Sequence, residues 1–246
     1  MNLQLFLDAL EERHFANLRF SEVTRALRAL SSTYVERRTT ALPAQKALDG
    51  AGKRAAFALY YGPIHFVLVQ DILKEVGAPK SLGVVVDLGC GTGVAGAAVA
   101  LSTSPPARVI GIDTHPWALD EARFTCRALG LAADVRRGSA ARTRIPHEAS
   151  FVVAAFVVNE LNDADRHQLL ESLRAAIARG VAVLIVEPIS LRISPWWREW
   201  TDAFVAMGGR ADEWRFRFDP PLVVKRLARA SGLRPESLTA RSLYVG

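Results

Sequence analysis

The chain has 246 residues, of which 50% are hydrophobic and 23% are charged. This composition is globular and excludes disordered, collagen-like and coiled-coil chains, and the length suits one large domain, or one domain with a small appendage. Two cysteines, Cys90 and Cys126, exclude a disulfide framework and a four-cysteine metal site within one chain, so we expect a reducing, cytoplasmic setting. The net charge of +6 permits a nucleic-acid partner without requiring one.

Apolar segments in this sequence are short. The longest uninterrupted runs, at 151–158 and 181–186, have six to eight residues, whereas a helix that crosses a bilayer needs about 20. Acidic residues interrupt the apolar residues of the first turns, which is not typical of a signal peptide. We therefore expect no membrane association.

The first 80 residues are predicted to be all-helical. Apolar residues recur at helical spacing from Leu3 to Leu10 and from Val23 to Tyr34. A third helix is predicted over 53–76, with a kink or break at Gly62-Pro63 because proline removes a backbone donor. Residues 1–80 are therefore predicted to form a helical N-terminal cap.

The pattern changes after residue 80 to strands that alternate with helices. Predicted strands are 84–88, 108–113, 133–137, 151–158 and 181–186, and predicted helices between them are 94–102, 116–129 and 164–178. Four of the five strands are apolar nearly throughout, as expected for strands that are covered on both faces. Residues 81–246 are therefore predicted to form an α/β domain with a doubly wound, mostly parallel sheet.

The C-terminal part shows a less regular pattern of predicted elements. A Trp/Arg-rich insertion at about 188–220 contains a helix near 195–207 and a strand at 214–218. A helix near 221–231 and a last strand near 238–245 follow.

The most informative stretch is VVVDLGCGTGVAG, residues 84–96. A buried strand reaches Asp87, and Gly89, Gly91 and Gly93 follow before a helix of small residues. Glycines let the backbone turn sharply and approach a ligand. The same stretch satisfies the G-x-G-x-x-G dinucleotide pattern, which is weak alone, and Asp113 is placed to bind ribose hydroxyls in either case.

Asp87 separates a dinucleotide from a methyl donor. NAD would bring a pyrophosphate to the start of the helix, where a buried carboxylate would repel it. S-adenosylmethionine carries no phosphate, and its ammonium and sulfonium groups are cations that Asp87 can face directly or through water. The charges therefore favour S-adenosylmethionine over NAD.

The glycine loop followed by VIGID resembles the class I S-adenosylmethionine-dependent methyltransferases, over roughly residues 80–190 and the closing strand. The resemblance implies a Rossmann-like, seven-stranded type of sheet. It also implies donor-binding residues: Asp87, Gly89, Cys90, Gly91 and Gly93 on the methionyl side, Asp113 at the ribose, Thr114, His115 and Trp117 beside the adenine, and Gly138, Ser139 and Ala140 where an acidic residue usually lies near the adenine amine.

The end of the fourth strand lies beside the transferable methyl group in that family, and here it reads AAFVVNELND. Asn159 matches the first position of the motif of enzymes that methylate exocyclic base amines, but the prolines and the aromatic residue of that motif are absent. We expect Asn159 to contact the donor and to act in catalysis. Glu160 is a candidate base or substrate anchor, or alternatively an acid at a helix N-terminus.

Tyr61 and His65, in RAAFALYYGPIHF (54–66), are two further candidate catalytic residues. Broken helices that precede the first strand often fold over the donor pocket in this superfamily. The alternative is that these rings pack within the helical cap.

Several motifs also resemble the ribosomal-small-subunit methyltransferase-like family that is linked to mitochondrial ribosome assembly and has bacterial relatives: LSSTYVERR, the tyrosine-rich helix, the N-E-L strand end and VEPIS. That family carries a cysteine cluster for an iron–sulfur centre, where this chain has EWRFRF (213–218). We therefore expect no iron–sulfur cluster and no metal.

Three functions remain open. The first is methylation of RNA, with ribosomal RNA of the small subunit as the expected target, because the segment with Arg136, Arg137, Arg142 and Arg144 is basic. The second is methylation of a small molecule, in a pocket closed by the helical cap and SPWWREW (194–200). The third is a non-catalytic assembly factor that holds S-adenosylmethionine.

Overall fold

The computed structural model describes residues 3–37, 48–190 and 194–246. The side chain of Tyr34 and the end of the LSSTYVERR motif lie outside the described residues. The chain divides into two compact units: a helical unit of Met1–His65 and Phe216–Leu238, and an α/β unit of Phe66–Arg215 and Thr239–Gly246. The prediction placed the boundary at residue 80 in chain order, whereas here a C-terminal segment joins the N-terminal helices.

The α/β unit is built on a seven-stranded sheet in the order β3-β2-β1-β4-β5-β7-β6. The strands are β1 Val84–Leu88, β2 Arg108–Asp113, β3 Ala133–Arg137, β4 Phe151–Ala155, β5 Ala182–Glu187, β6 Arg210–Arg217 and β7 Ser237–Val245. Neighbours from β3 to β5 pair in parallel, and β7 pairs antiparallel with β5. The predicted doubly wound, mostly parallel fold is confirmed.

Helices flank this sheet, and their bounds are α4 Gly62–Val76, α5 Val94–Ala100, α6 Pro116–Ala128, α7 Asp163–Ile177 and α8 Trp197–Ala206. Every residue of β1 and β5 is buried, as expected for strands that are covered on both faces. Leu173 of α7 and Trp200 of α8 belong to one apolar cluster with Val86 and Val183 of the sheet. The tryptophans of SPWWREW therefore pack in the core.

The fourth strand is shorter than the predicted 151–158. It ends at Ala155, and Phe156 adopts a left-handed backbone conformation with φ 59°. Such a conformation is unfavourable for a residue with a Cβ and ends the strand despite the apolar sequence. Val158–Glu160 then form a single 3-10 turn, so the predicted site residues lie on this turn and not on the strand.

The helical unit contains α1 Leu3–Phe15, α2 Phe20–Arg37, α3 Ala51–Ala56 and α9 Leu222–Ser231. Helix α9 packs against α2, where the Ser231 hydroxyl donates to the carbonyl of Thr24 and Arg28 donates to the carbonyl of Ala230. The guanidinium of Arg226 lies 5.1 Å from the centre of the Phe20 ring. A helix near 221–231 was predicted, but its partner α2 is distant in sequence.

The predicted break at Gly62-Pro63 takes the form of a π-helical turn, Phe57–Tyr61, between α3 and α4. The amide of Gly62 donates to the carbonyl of Phe57, five residues earlier. Pro63 has no N–H group, and its ring conflicts with the carbonyl four residues before it, so a widened turn relieves the conflict.

The continuous helical stretch Ala51–Val76 is long and apolar enough to cross a membrane by length and composition alone. In its most apolar window 61% is buried inside the structure, and a buried core helix passes the same test of length and composition. The expectation of no membrane association stays a prediction.

Candidate functional site

The glycine loop joins β1 to α5 at the carboxyl edge of the parallel strands. Gly89, Gly91 and Gly93 all have left-handed φ values, of 68°, 51° and 76°. A Cβ on Gly89 would lie 2.3 Å from Val157, and one on Gly93 would lie 2.9 Å from Ala122. Gly91 differs, because a Cβ there would meet nothing of the described chain within 4 Å. Gly91 therefore leaves open space beside the loop, where a ligand can approach the backbone.

Asp87 is the buried carboxylate next to this loop, and it is only 1% exposed. Its Oδ2 accepts a hydrogen bond of 2.8 Å from the amide of Gly96, whereas its Oδ1 has no hydrogen-bond partner among the described residues. Burial, together with the charge of Asp113, raises the pKa of Asp87 to about 7, although the hydrogen bond from Gly96 acts to lower it. A buried oxygen without a partner favours a cationic ligand group or a water at this point.

Asp113, at the end of β2, is tied to the glycine loop. Its Oδ2 accepts from the amide of Gly91 at 2.9 Å, and its Oδ1 accepts from the amide of His115 at 2.8 Å. Each carboxylate oxygen retains a second acceptor site. The carboxylate is therefore oriented by backbone donors and can still accept hydroxyl groups of a ribose.

The predicted adenine-side residues follow Asp113. His115 is the N-cap of α6, where its Nδ1 accepts from the amide of Trp117 at 3.2 Å and Pro116 fills the first helical position. Thr114 is exposed, and the Trp117 ring is partly buried with its centre 6.2 Å from that of His115. His115 thus has a capping function here, and Trp117 keeps an accessible aromatic surface.

The loop after β3 lies against the same edge of the sheet. The amide of Gly138 donates to the carbonyl of Asp113 at 3.0 Å, and the carbonyl of Ser139 accepts from the hydroxyl of Thr143 at 2.7 Å. Ala140 is buried in the apolar cluster. Gly138 therefore lies beside Asp113, and a contact of residues 138–140 with the adenine stays a prediction.

Cys90 is buried, with 5% of its surface exposed. Burial raises the pKa of the thiol well above its usual value, and the charges of Asp87 and Asp113 add to this effect. The thiol stays protonated and acts as a small packing residue of the loop.

On the methyl side, Asn159 is held in a hydrogen-bond network that the sequence did not predict. Its Nδ2 donates to Glu187 at 2.6 Å, and its Oδ1 accepts from the hydroxyl of Ser194 at 2.9 Å and from the indole N–H of Trp196 at 2.8 Å. An acid at the end of an otherwise apolar strand was the available signal for Glu187, the same signal that singled out Asp87. The neighbouring Glu160 is exposed.

Tyr61 and His65 belong to the helical unit, where they form an aromatic group with Phe57. The centre of the Tyr61 ring lies 5.7 Å from that of Phe57 and 6.0 Å from that of His65. Desolvation lowers the pKa of His65 to about 4, so its imidazole is neutral at pH 7. Their catalytic roles stay predictions.

Within the described residues, no group of three or more His, Cys, Asp or Glu side chains is arranged to hold a metal ion. The described site instead consists of a glycine loop, two carboxylates at neighbouring strand ends and a polar turn after β4. Its donor set suits an organic cation with a ribose.

Residues 85–180 match the sequence model of a family described as a methyltransferase domain. This stretch, which is less than half of the chain, is similar to a methyltransferase domain. A search of the curated proteins found no match.

Solved structures share its fold. A putative O-methyltransferase from Nostoc punctiforme is 18% identical, with a TM-score of 0.54 over 91% of this chain and 69% of that one. A precorrin 8W decarboxylase from Methanobacterium thermoautotrophicum is 17% identical, with a TM-score of 0.50 over 73% of this chain and 89% of that one. A mitomycin 7-O-methyltransferase is 16% identical, with a TM-score of 0.50 over 82% of this chain and 58% of that one.

S-adenosylmethionine is the methyl donor of this domain, and the residues present fit it. Asp87 offers a buried oxygen to a cation, Gly91 leaves open space, and Asp113 is oriented for the ribose. When bound, the donor supplies a methyl group activated by its sulfonium. The predicted dinucleotide alternative does not fit, because a pyrophosphate would meet the carboxylate of Asp87.

Gly91→Ala tests whether the open space beside the loop belongs to the donor. Gly130 is its matched control, since its φ is 68° and a Cβ there also meets nothing of the described chain within 4 Å. Both substitutions should lower the free energy of unfolding by about 1–2 kcal/mol, the cost of a left-handed alanine. Only Gly91→Ala should weaken binding of S-adenosylhomocysteine, by more than tenfold in calorimetry. Equal binding by the two variants would contradict this assignment.

The pKa of Asp87 predicts a pH dependence of donor binding. A bound cation favours the ionised carboxylate, so binding releases a proton when the pH is below about 7. Affinity for S-adenosylmethionine should rise by up to about tenfold per pH unit below that pKa and level off above it.

Calorimetry between pH 5.5 and 8.5 measures this slope, and buffers of different ionisation enthalpy report the released proton. Asp87→Asn should bind more weakly and lose the slope, whereas Glu148→Gln, at an exposed acid that pairs with Arg108, should behave like the unmodified protein. A slope that persists in Asp87→Asn would assign the proton to another group.

Proposed function

We propose that the protein catalyses transfer of the methyl group of S-adenosylmethionine to a small-molecule acceptor at the carboxyl end of β4. The observation that carries this proposal is the hydrogen bonding of Asn159. An enzyme that methylates a base amine needs the carbonyl oxygen at this position to accept an amine N–H. Here Ser194 and Trp196 already donate to that oxygen, and an amide oxygen has two lone pairs.

Glu160 is the group beside Asn159 that a substrate can reach. It is exposed, and its charge acts on the buried Glu187. A hydroxyl acceptor must lose its proton during methyl transfer, and a carboxylate within hydrogen-bond reach can take it. We assign Glu160 the role of base or substrate anchor, and Asn159 a positioning role. The names of two proteins with this fold, a putative O-methyltransferase and a mitomycin 7-O-methyltransferase, support a hydroxyl acceptor.

The basic segment after β3 gives limited support to an RNA substrate. Arg136 bonds to Asp134, Arg142 bonds to Asp165 at 3.2 Å, and Arg144 contacts His147 at 3.3 Å. Such surface pairs are weak and would yield to phosphates, but they show that Arg136, Arg142 and Arg144 already have partners within the protein.

RNA methylation remains the second candidate because of where the charge lies. Residues 188–246 carry a net charge of +4 and residues 1–82 carry +3, whereas residues 83–187, which hold the donor site, carry −1. The narrower resemblance to the mitoribosome-linked family, and with it a small-subunit partner, belongs to this candidate. A non-catalytic assembly factor is the third.

A methyl-transfer assay distinguishes the three. The protein is incubated with S-adenosylmethionine and either a panel of phenols, catechols, amines and carboxylic acids or ribosomal RNA, and S-adenosylhomocysteine and methylated product are measured. We expect turnover with a small hydroxyl compound. Methylation of RNA alone, with binding that falls steeply between 50 and 200 mM salt, would replace the proposal by the second candidate. Donor binding without turnover on either class would indicate the third.

Glu160→Gln tests the assigned base. The catalytic rate should fall by about 10²–10⁴-fold while donor affinity stays unchanged, because only the proton acceptor is lost. Glu171→Gln, at an exposed acid of α7 that pairs with Arg174, is the control and should keep full activity. An unchanged rate in Glu160→Gln would remove Glu160 from the mechanism.

A further inference from the structure

Glu187, the last residue of β5, is a buried acid at the end of a strand that is otherwise apolar. It is 0% exposed. Its Oε1 accepts from the amides of Val158 at 2.7 Å and Asn159 at 3.3 Å, and its Oε2 accepts from Asn159 Nδ2 at 2.6 Å. All three donors belong to the turn after β4, so a single side chain holds that turn against the end of β5.

No lysine or arginine of the described residues pairs with this carboxylate. Arg241 lies opposite it in the β5–β7 register, but the guanidinium bonds to the carbonyl of Ile189 and to Glu213. The charge of Glu160 adds repulsion. Glu187 therefore depends on the N–H groups of the turn to be tolerated in the core, and the turn depends on Glu187 for its shape.

The position of the glycine loop depends on the shape of the turn after β4. Phe156 begins the turn in a left-handed conformation, which persists only where surrounding contacts hold it. Val157, the next residue, packs against Gly89 so closely that a Cβ on that glycine would lie 2.3 Å from it. A displacement of the turn would therefore displace the glycine loop as well.

Glu187 also sets the orientation of the Asn159 amide. A carboxylate accepts hydrogen bonds and cannot donate when ionised, so the NH₂ group of Asn159 must face it. The carbonyl oxygen then faces the opposite way, toward the Ser194 hydroxyl and the Trp196 indole. The segment after β5 is thereby joined to the turn after β4.

We propose that Glu187 is a positioning residue for methyl transfer. Through the turn after β4 and the amide of Asn159, it holds Glu160 and Trp196 in place beside the glycine loop, on the side where the methyl group is transferred. This inference rests on the proposed function for its catalytic readout only. The hydrogen-bond coupling that it requires can be measured without any acceptor.

A reciprocal exchange of donor and acceptor tests the proposal. Glu187→Gln places an NH₂ group against the NH₂ group of Asn159, and Asn159→Asp places two carboxylates together. The double variant Glu187→Gln/Asn159→Asp restores one donor and one acceptor, and its aspartate can still accept from Ser194 and Trp196. Measurements are made at pH 9, where Glu187 of the unmodified protein is ionised, since its pKa is raised to about 8 by burial.

Each single variant should lower the catalytic rate by about 10- to 100-fold, the effect of a misplaced reacting group. The KM for the donor should rise by less than the rate falls, because the turn reaches the glycine loop only through the contact of Val157 with Gly89. The tryptophan fluorescence emission should also shift. The variant Trp196→Phe shows how much of that emission comes from Trp196. The double variant should return both readouts to within about threefold of the unmodified protein. Glu148→Gln controls for the loss of a carboxylate at an exposed position.

Additive losses in the double variant, or an unchanged Trp196 emission in both single variants, would overturn the proposal. Restoration of the emission in a protein that turns over no small molecule would uphold the positioning role and reject the proposed substrate class. If Glu187→Gln does not fold, the comparison of Asn159→Asp with the double variant still decides the question, because restoration must then appear against Asn159→Asp alone.

Discussion

The contact between Val157 and Gly89 is the constraint on which the site depends. The turn after β4 fits only because residue 89 has no Cβ, and it reaches that place only because Phe156 takes a left-handed conformation. Such a conformation costs about 1–3 kcal/mol. The hydrogen bonds from the turn to Glu187 offset this cost, since a hydrogen bond within a protein contributes about 0.5–1.5 kcal/mol. The strained backbone and the hydrogen bonds that offset its cost therefore both lie in the turn after β4.

Two buried carboxylates at the same edge of the sheet serve different purposes. Glu187 has three N–H donors from one turn, whereas Asp87 has one donor and an oxygen without a partner among the described residues. Burial raises the pKa of both, to about 8 and about 7. Their contribution to stability is therefore complete below pH 4 and decreases as the pH rises toward 8. Asp87 has an oxygen without a partner that a cationic donor can approach, whereas both oxygens of Glu187 accept hydrogen bonds from the turn.

Much of the fold followed from local pattern. The runs at 84–88, 108–113 and 133–137 form strands with the predicted bounds, because apolar and β-branched runs between turn signals are a local signal. The strand predicted at 151–158 ends at Ala155 in the structure. Its apolar composition gave no signal of the left-handed conformation of Phe156 that ends it. The donor-site residues were likewise predicted from local pattern, because the glycines and acids are close in sequence, and their contact with the donor stays a prediction.

Composition, periodicity and the glycine loop by themselves determined the α/β class and the methyl donor, and they predicted which residues face that donor. These properties depend on groups a few positions apart or on strand ends that a parallel sheet must bring together. Only the tertiary structure decided that Glu187, Ser194 and Trp196 surround Asn159, and that α9 joins the N-terminal helices. Those contacts link residues 28 to 207 positions apart, and hydrogen bonds and packing between such distant residues leave no periodic trace in a single sequence.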